Sequence, residues 1–315
     1  MKKTIYTLAL GALLLTGCSQ EETPAYQGEE VTMTVTAKLP QEATSRADGE
    51  TPLANKYVVG IYEKTGEDEY TKARQEDVQT ISSNSFDCEV KLIKGKAYRL
   101  VFWAYNQGDS ETDAPYDLSD LEEVSINASA KIFEAFTACK DVTGGVTDQT
   151  EITLTRPVAV VRIGTIVDDY DSAENLGKTS GEATVTLGGC PATYNAVTGK
   201  ANADGESINR VFTKSIDKNV KFKVNETEYI PFAEAYTFAT NEGSSITCKL
   251  EVKATGETSA FFSDTYGTEE NGEKKITVKP NHRTNIIGRL MTGTTTYSVS
   301  ISSESYTEGN DIEIE

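Results

Sequence analysis

Val31-Thr-Met-Thr-Val-Thr-Ala-Lys-Leu39 is the stretch on which the fold turns. Apolar and polar side chains alternate along it, so an extended chain places Val31, Met33, Val35, Ala37 and Leu39 on one face. A half-buried β-strand needs that period of two, whereas a helix would scatter the same residues around its circumference. The pattern recurs outward from this strand. Tyr57–Tyr62 and Tyr98–Tyr105 set β-branched and aromatic residues between turn formers, and Ile132–Ala138, Glu151–Thr155, Val158–Val167 and Ala183–Leu187 continue the series. Arg210–Phe212, Ala235–Thr240, Ser245–Lys253, Lys274–Val278, Thr284–Leu290, Tyr297–Ile301 and Asp311–Ile314 carry it to the end. Helical patterning is thin: Asp117–Glu123 supports one turn, and no long stripe of period 3.6 is present. Short strands separated by Gly, Asn, Asp and Ser clusters predict an all-β protein of packed sandwiches. Proline offers no amide to a central strand, so Arg156-Pro157 marks the expected break between an N-terminal domain, 30–155, and a C-terminal domain, 156–315. Trp103 lies in the apolar run Tyr98–Tyr105 and is expected in the core of the first sandwich. The acidic stretch Asp109–Asp120 reads as a surface loop.

Composition narrows the function. Of 315 residues 37% are hydrophobic, which suffices for sandwiches because alternate strand residues face water. With 49 acidic against 30 basic residues the formal net charge is -19, which argues against a nucleic-acid partner and against an electrostatic grip on anionic lipid. The single histidine, His282, sits in the loop-like Lys279-Pro-Asn-His-Arg283 and cannot build a histidine metal cluster. There is no GxSxG elbow and no Gly-rich phosphate loop, so no metal, no cofactor and no enzymatic activity are expected. Carboxylate pairs must arise by chance among so many acids, and nothing marks one as a glycosidase pair. Besides Cys18 there are four cysteines, Cys88, Cys139, Cys190 and Cys248, without CxxC spacing; two disulfides and buried free thiols are both open. Asp171-Ser172-Ala173 resembles the O-glycosylation tripeptide of exported Bacteroidetes proteins but is read here as an acidic turn.

The N-terminus carries its own signal. Residues 1–18, MKKTIYTLALGALLLTGC, join two lysines, an apolar run and small residues in the order of a secretory leader. The run is well short of the ~20 residues that cross a bilayer. Leu15-Thr-Gly-Cys18 resembles the lipobox of bacterial lipoproteins, which implies an acylated Cys18 followed by a tether at 19–29. Ser19-Gln-Glu-Glu22 is similar to the acidic tags of surface-exported Bacteroidetes lipoproteins.

After the tether comes one isolated strand, then Ala43-Thr-Ser-Arg-Ala-Asp-Gly49, where Arg46 stands among small polar residues that suit a protease. Leu154-Thr-Arg-Pro-Val-Ala-Val-Val-Arg-Ile163 lies mid-chain, and Asn281-His-Arg-Thr-Asn-Ile-Ile-Gly-Arg-Leu-Met-Thr292 precedes a strand pair near the end. In this order the chain resembles the Bacteroidales fimbrillins, the FimA-like or type V pilin subunits. The resemblance implies two transthyretin-like Greek-key β-sandwich domains in tandem. It also implies a surface-exposed outer-membrane lipoprotein precursor, cut by an arginine-specific protease between Arg46 and Ala47. The excised strand would be that of Val31, Met33, Val35, Ala37 and Leu39. A sandwich robbed of a strand has unpaired backbone and an open apolar channel, which an incoming strand can fill. Candidate donors follow residue 293: Tyr297, Val299 and Ile301 alternate with serines, and Ile312 and Ile314 alternate with acids. The partners implied are other fimbrial subunits, the protease and, before processing, the outer membrane; the role implied is a structural subunit of an adhesive fimbria, more like a stalk or polymerising subunit than a tip. The competing reading is a surface glycan-binding lipoprotein, which calls for clustered exposed aromatics; a carboxylate hydrolase ranks last.

Overall fold

The computed structural model describes residues 28–40, 54–107, 114–127, 134–146, 148–175, 177, 180–202, 205–292 and 296–301. The first half holds β1 (Glu30–Lys38), β2 (Lys56–Lys64), β3 (Tyr70–Gln75), β4 (Gln79–Thr80), β5 (Ser85–Ile93), β6 (Ala97–Tyr105), β7 (Tyr116–Asp117), β8 (Val124–Ile126), β9 (Ala135–Thr143) and β10 (Gln149–Thr153). The second holds β11 (Val158–Ile166), α1 (Val167–Asn175), β12 (Ser180–Pro191), β13 (Thr193–Asn195), β14 (Lys200–Ala201), β15 (Ser207–Ser215), β16 (Phe222–Val224) and β17 (Thr227–Phe238). It continues through β18 (Ser244–Ala254), β19 (Ala260–Tyr266), β20 (Thr268–Glu270), β21 (Glu273–Val278), β22 (Arg283–Arg289) and β23 (Thr296–Ile301). Among the described residues 64% are in strands and one short helix is present, so the fold is all-β.

In the first half a three-stranded sheet, β10-β1-β5, covers a second sheet, β3-β2-β6-β9, with β4 beside β2. Met33, Val35 and Ala37 from β1 meet Val59, Ile61, Leu100 and Phe102 from the facing sheet in one core. β6 is apolar on both faces, as a strand buried on both sides must be. Leu100, Phe102 and Ala104 enter that first core, while Val101, Trp103 and Tyr105 enter the larger core of the second half. Trp103 is therefore fully buried, but between the halves rather than inside the first sandwich. Its ring makes edge contacts with Tyr116 (5.2 Å), Tyr194 (5.8 Å) and Phe238 (6.4 Å).

Backbone pairing reinforces this junction. β7 and β8 join β13 and β14 in a small sheet of order β14-β13-β8-β7, drawn from both halves. The Ala196 amide donates to the Leu121 carbonyl at 2.8 Å. Arg99 donates to both oxygens of Asp141 (2.6 and 2.8 Å) and, across the junction, to the Val197 carbonyl (3.1 Å). That guanidinium holds the Asp141 carboxyl below the usual carboxylate range.

The second half pairs the sheet β16-β17-β11-β22-β23 with β15-β12-β18-β21-β20, β19 lying on β18. β11 is buried from Val158 to Thr165, antiparallel to β17 and parallel to β22, which accounts for its largely apolar sequence; the one charge in it, Arg162, pairs with Glu234 of β17 at 2.6 Å. Between β10 and β11 the chain changes sheets through Arg156-Pro157. The Arg156 guanidinium is buried there, donating to Glu134 at 2.9 Å over the Phe136 ring.

Two local expectations need correction. The turn expected within Asp117–Glu123 follows the end of β7 and closes where the Glu123 amide donates to the Asp120 carbonyl; the helix is α1, and Val167, expected as the end of a strand, opens it. Asp171-Ser172-Ala173 accordingly lies on α1 rather than in a turn, with Ala173 buried. Only Val167, Tyr170 and Ala173 mark its apolar stripe, too few to show a period. The cysteines Cys88, Cys139, Cys190 and Cys248 are free thiols. Burial pushes the Cys88 thiol up to about 11 and Cys248 higher still, so neither is a reactive thiolate at neutral pH.

Candidate functional site

β1 is the middle strand of its sheet. It runs antiparallel to β5 from Glu30↔Ile93 to Lys38↔Ser85, and parallel to β10 from Thr34↔Gln149 to Lys38↔Thr153. Both its edges are therefore hydrogen-bonded, and the bonding continues past its ends: the Lys94 amide donates to the Glu29 carbonyl and the Leu39 amide to the Asn84 carbonyl. Met33, Val35, Ala37 and Leu39 are 1%, 0%, 0% and 4% exposed; Val31, at the rim, is half-buried. On β5 these residues face Leu92, Val90, Cys88 and Phe86, opposite Val31, Met33, Val35 and Ala37 in turn. Side-chain size is matched across the pairs. Phe86, the largest of the four, stands opposite Ala37, the smallest residue of the row, and packs on Tyr57 at 4.4 Å between ring centroids.

The outer face of β1 is polar. The Thr36 hydroxyl donates to Asp87 at 2.7 Å, Lys38 pairs with Glu151 at 2.7 Å, and Lys91 pairs with Glu30 at 3.7 Å. These contacts are solvent-exposed, so they orient the strand more than they hold it. What holds it is the buried row and the two ladders. Residues 41–53, which join β1 to Ala54, lie outside the described residues, and with them Arg46 and Ala47; Cys18 lies outside as well.

β5 is the functional element missing from the sequence reading. Phe86, Cys88, Val90 and Leu92 do alternate, and that period was the available signal. Asp87, Glu89 and Lys91 between them dilute the β-branched and aromatic character by which strands were picked out.

The other candidate strand, β23, sits elsewhere. It is the edge of the sheet β16-β17-β11-β22-β23, paired only with β22 among the described strands, so the structure does not bring it to β1. Tyr297, Val299 and Ile301 are half-buried, a looser hold than that on β1. Ile312 and Ile314 lie outside the described residues. Close pairing with β22 depends on Gly288, where a Cβ would come within 2.1 Å of the Thr296 carbonyl oxygen.

The link from β22 to β23 is gripped from α1. The Asp169 carboxylate is fully buried and accepts from the Thr165 hydroxyl (2.7 Å), the Leu290 amide (2.9 Å), the Met291 amide (2.8 Å) and the Thr292 hydroxyl. Asp169→Asn places an amide group among these donors, and losing hydrogen bonds to a charged acceptor costs about 1.5–3 kcal/mol. The expected result is a loss of about that size in a urea unfolding curve; a change below about 0.5 kcal/mol, the scatter of surface substitutions, would refute it.

Among the described residues no cluster of three or more His, Cys, Asp or Glu is placed to hold a metal ion. A cleft of about 730 Å³ opens near β13 and β14, lined by Thr193, Asn195, Asn202, Asn241 and Glu242 among others. Among the described residues no aromatic ring lines it.

Fold and site together define an all-β protein of packed sheets in which one strand, near the N-terminus, is lodged as the central member of a sheet. The chain belongs to a family of unknown function, DUF6562, whose profile matches residues 23–315. No curated protein matches it. Solved structures with a similar layout include a candidate cell adhesion protein from Bacteroides uniformis, at 14% identity and TM-score 0.46, covering 88% of this chain and 98% of that one. A candidate adhesin from Bacteroides thetaiotaomicron matches at 9% identity and TM-score 0.46, over 90% and 100% of the two chains. A fimbrial assembly protein from Parabacteroides distasonis matches at 12% identity and TM-score 0.37, over 87% and 96%. Scores this low do not establish a shared function.

Proposed function

We propose that this chain is a structural subunit of an adhesive cell-surface fimbria, made as an outer-membrane lipoprotein acylated at Cys18, activated by cleavage after Arg46 and polymerised by donor-strand exchange. The placement of β1 carries the reading. It is a central strand, bonded on both edges and packed over a full inward row, yet it joins the remainder of its sheet only through the segment that contains Arg46. Cutting that segment turns β1 into a bound peptide. Its departure leaves β5 and β10 with unpaired backbone and the core open, a state that recaptures a strand from a neighbour. β23, an edge strand with half-buried alternating residues, is the segment best placed to serve.

A glycan-binding module has no use for such a strand. The exposed large apolar residues among those described are Val78, Val146, Val211 and Val220, none of them an aromatic platform for sugar.

Treatment of the purified precursor with an arginine-specific protease, followed by sizing, tests the proposal. Wild type is expected to form polymers. Arg46→Ala is expected to stay monomeric, and a chain ending at Thr292 is expected to be cut without extending a polymer. Fibres from both variants as from wild type would overturn the reading.

A further inference from the structure

We infer that the β1 slot accepts the C-terminal strand of a second copy in one register only: Tyr297 in the place of Val31, Val299 in that of Met33, Ile301 in that of Val35 and Ser303 in that of Ala37. The inference rests on the donor-strand reading above and adds to it the fit between slot and strand.

The first constraint is size. The slot is wide at Met33 and Val35 and narrow at Ala37, because Phe86 faces Ala37 and stacks on Tyr57 while Ile152 flanks it on β10. Residues 297–303 read Tyr-Ser-Val-Ser-Ile-Ser-Ser. Only the stated register puts large side chains at Met33 and Val35 and a small one, Ser303, in the narrow position; the Leu39 position, beyond the end of this pairing, stays empty. A shift of two residues one way drives Ile301 into the Ala37 position, which a close-packed core resists. The opposite shift puts Ser303 into the Val35 position and leaves a void. A shift of one residue turns the serines inward. Tyr297 falls at the half-buried rim, where a ring can pack while its hydroxyl stays in water.

The second constraint is charge. On the outer face Ser298, Ser300 and Ser302 would take the positions of Thr32, Thr34 and Thr36, opposite Lys91, Glu89 and Asp87 of β5. Ser302 then offers its hydroxyl to Asp87, as Thr36 does at 2.7 Å. Glu304 would come to the Lys38 position beside Glu151, so pairing ends at Ser303. The same face excludes the other candidate, Asp311-Ile-Glu-Ile-Glu315. Wherever its two isoleucines enter the slot, an acid falls opposite Glu89 or Asp87, and like charges directly across a ladder repel.

Cys88 supplies the test. It is a free, inward-facing thiol directly opposite Val35. Directly paired antiparallel residues have Cα atoms about 4.5–5.5 Å apart, within disulfide reach. Protease-cut Val299→Cys, Ile301→Cys and Ser303→Cys proteins would be assembled, treated with diamide and run on non-reducing gels. Ile301→Cys is expected to give a ladder of disulfide-linked subunits that Cys88→Ser abolishes, with the other two unlinked. A ladder from Val299→Cys or Ser303→Cys instead overturns the register while leaving donor exchange intact. Fibres with no ladder from any of the three, under conditions in which Val35→Cys links to Cys88 within the uncut precursor, remove 297–303 as the donor. A wild-type chain that stays monomeric after cutting brings down the parent reading. As a second measure, Ser303→Leu is expected to slow polymerisation at least tenfold; an unchanged rate would contradict the size constraint.

Discussion

A chain that begins at Ala47, and so lacks β1, is expected to lose most of the stability of its N-terminal sandwich and to regain it when a peptide copying residues 30–39 is added. Met33, Val35 and Leu39 are each buried almost completely, and burying such a side chain is worth about 1.5–3 kcal/mol. Three of them together approach the whole stability of an ordinary domain, about 5–15 kcal/mol. The loss of two ladders adds to this, because β5 and β10 are left with open edges. A peptide present at a hundred times its dissociation constant restores about 2.7 kcal/mol, a shift easily seen by calorimetry. A control peptide carrying Asp at the Val35 position should restore nothing, since a carboxylate in that site finds Cys88 and apolar neighbours instead of a partner. Equal melting of the truncated chain with and without the native peptide would show that β1 is dispensable.

Much of this arrangement was legible in the sequence, for a local reason. β1 and β23 declare themselves by alternation, and β11 by its run of β-branched and apolar residues around Arg162, because burial on one face or two is written directly into neighbouring residues. Tyr98–Tyr105 likewise showed a strand apolar on both faces. What covers the second face was not legible: Tyr194 and Phe238, which meet Trp103, stand far along the chain and carry no mark of that contact. The sheet joining β7 and β8 to β13 and β14 is built of strands of two and three residues, too short for a period. Asp169 was hidden for a similar reason. Two of its four partners are backbone amides, at 290 and 291, and a backbone amide has no sequence signature. Cys18 and Arg46 are the reverse case, read from local motifs alone.

Glu134→Ala is expected to destabilise the protein by about 3–5 kcal/mol, the cost of removing one partner of a buried ion pair. The side chains of Arg156 and Glu134 are 3% and 11% exposed, and the Nε···Oε2 contact is 2.9 Å. The ring of Phe136 lies 5.0 Å from the guanidinium and attracts it through a cation–π contact of about 2 kcal/mol when desolvated. That attraction is already present in the wild type, so it does not offset the loss. Replacing both partners, as Glu134→Leu with Arg156→Met, removes the charge together with its counterion and should recover most of the stability, since apolar replacements of buried pairs are often neutral or better. Urea unfolding of the single and double variants separates the two effects; a loss below about 1 kcal/mol for Glu134→Ala would mean that water reaches Arg156. The consequence extends to the slot. Leu154, two residues before Arg156, donates its amide to the Lys38 carbonyl at 2.8 Å and closes the β10 wall over the end of β1. An Arg156 released from Glu134 therefore loosens the wall against which any strand in the slot must pair, and Glu134→Ala should also weaken binding of the 30–39 peptide to the truncated chain.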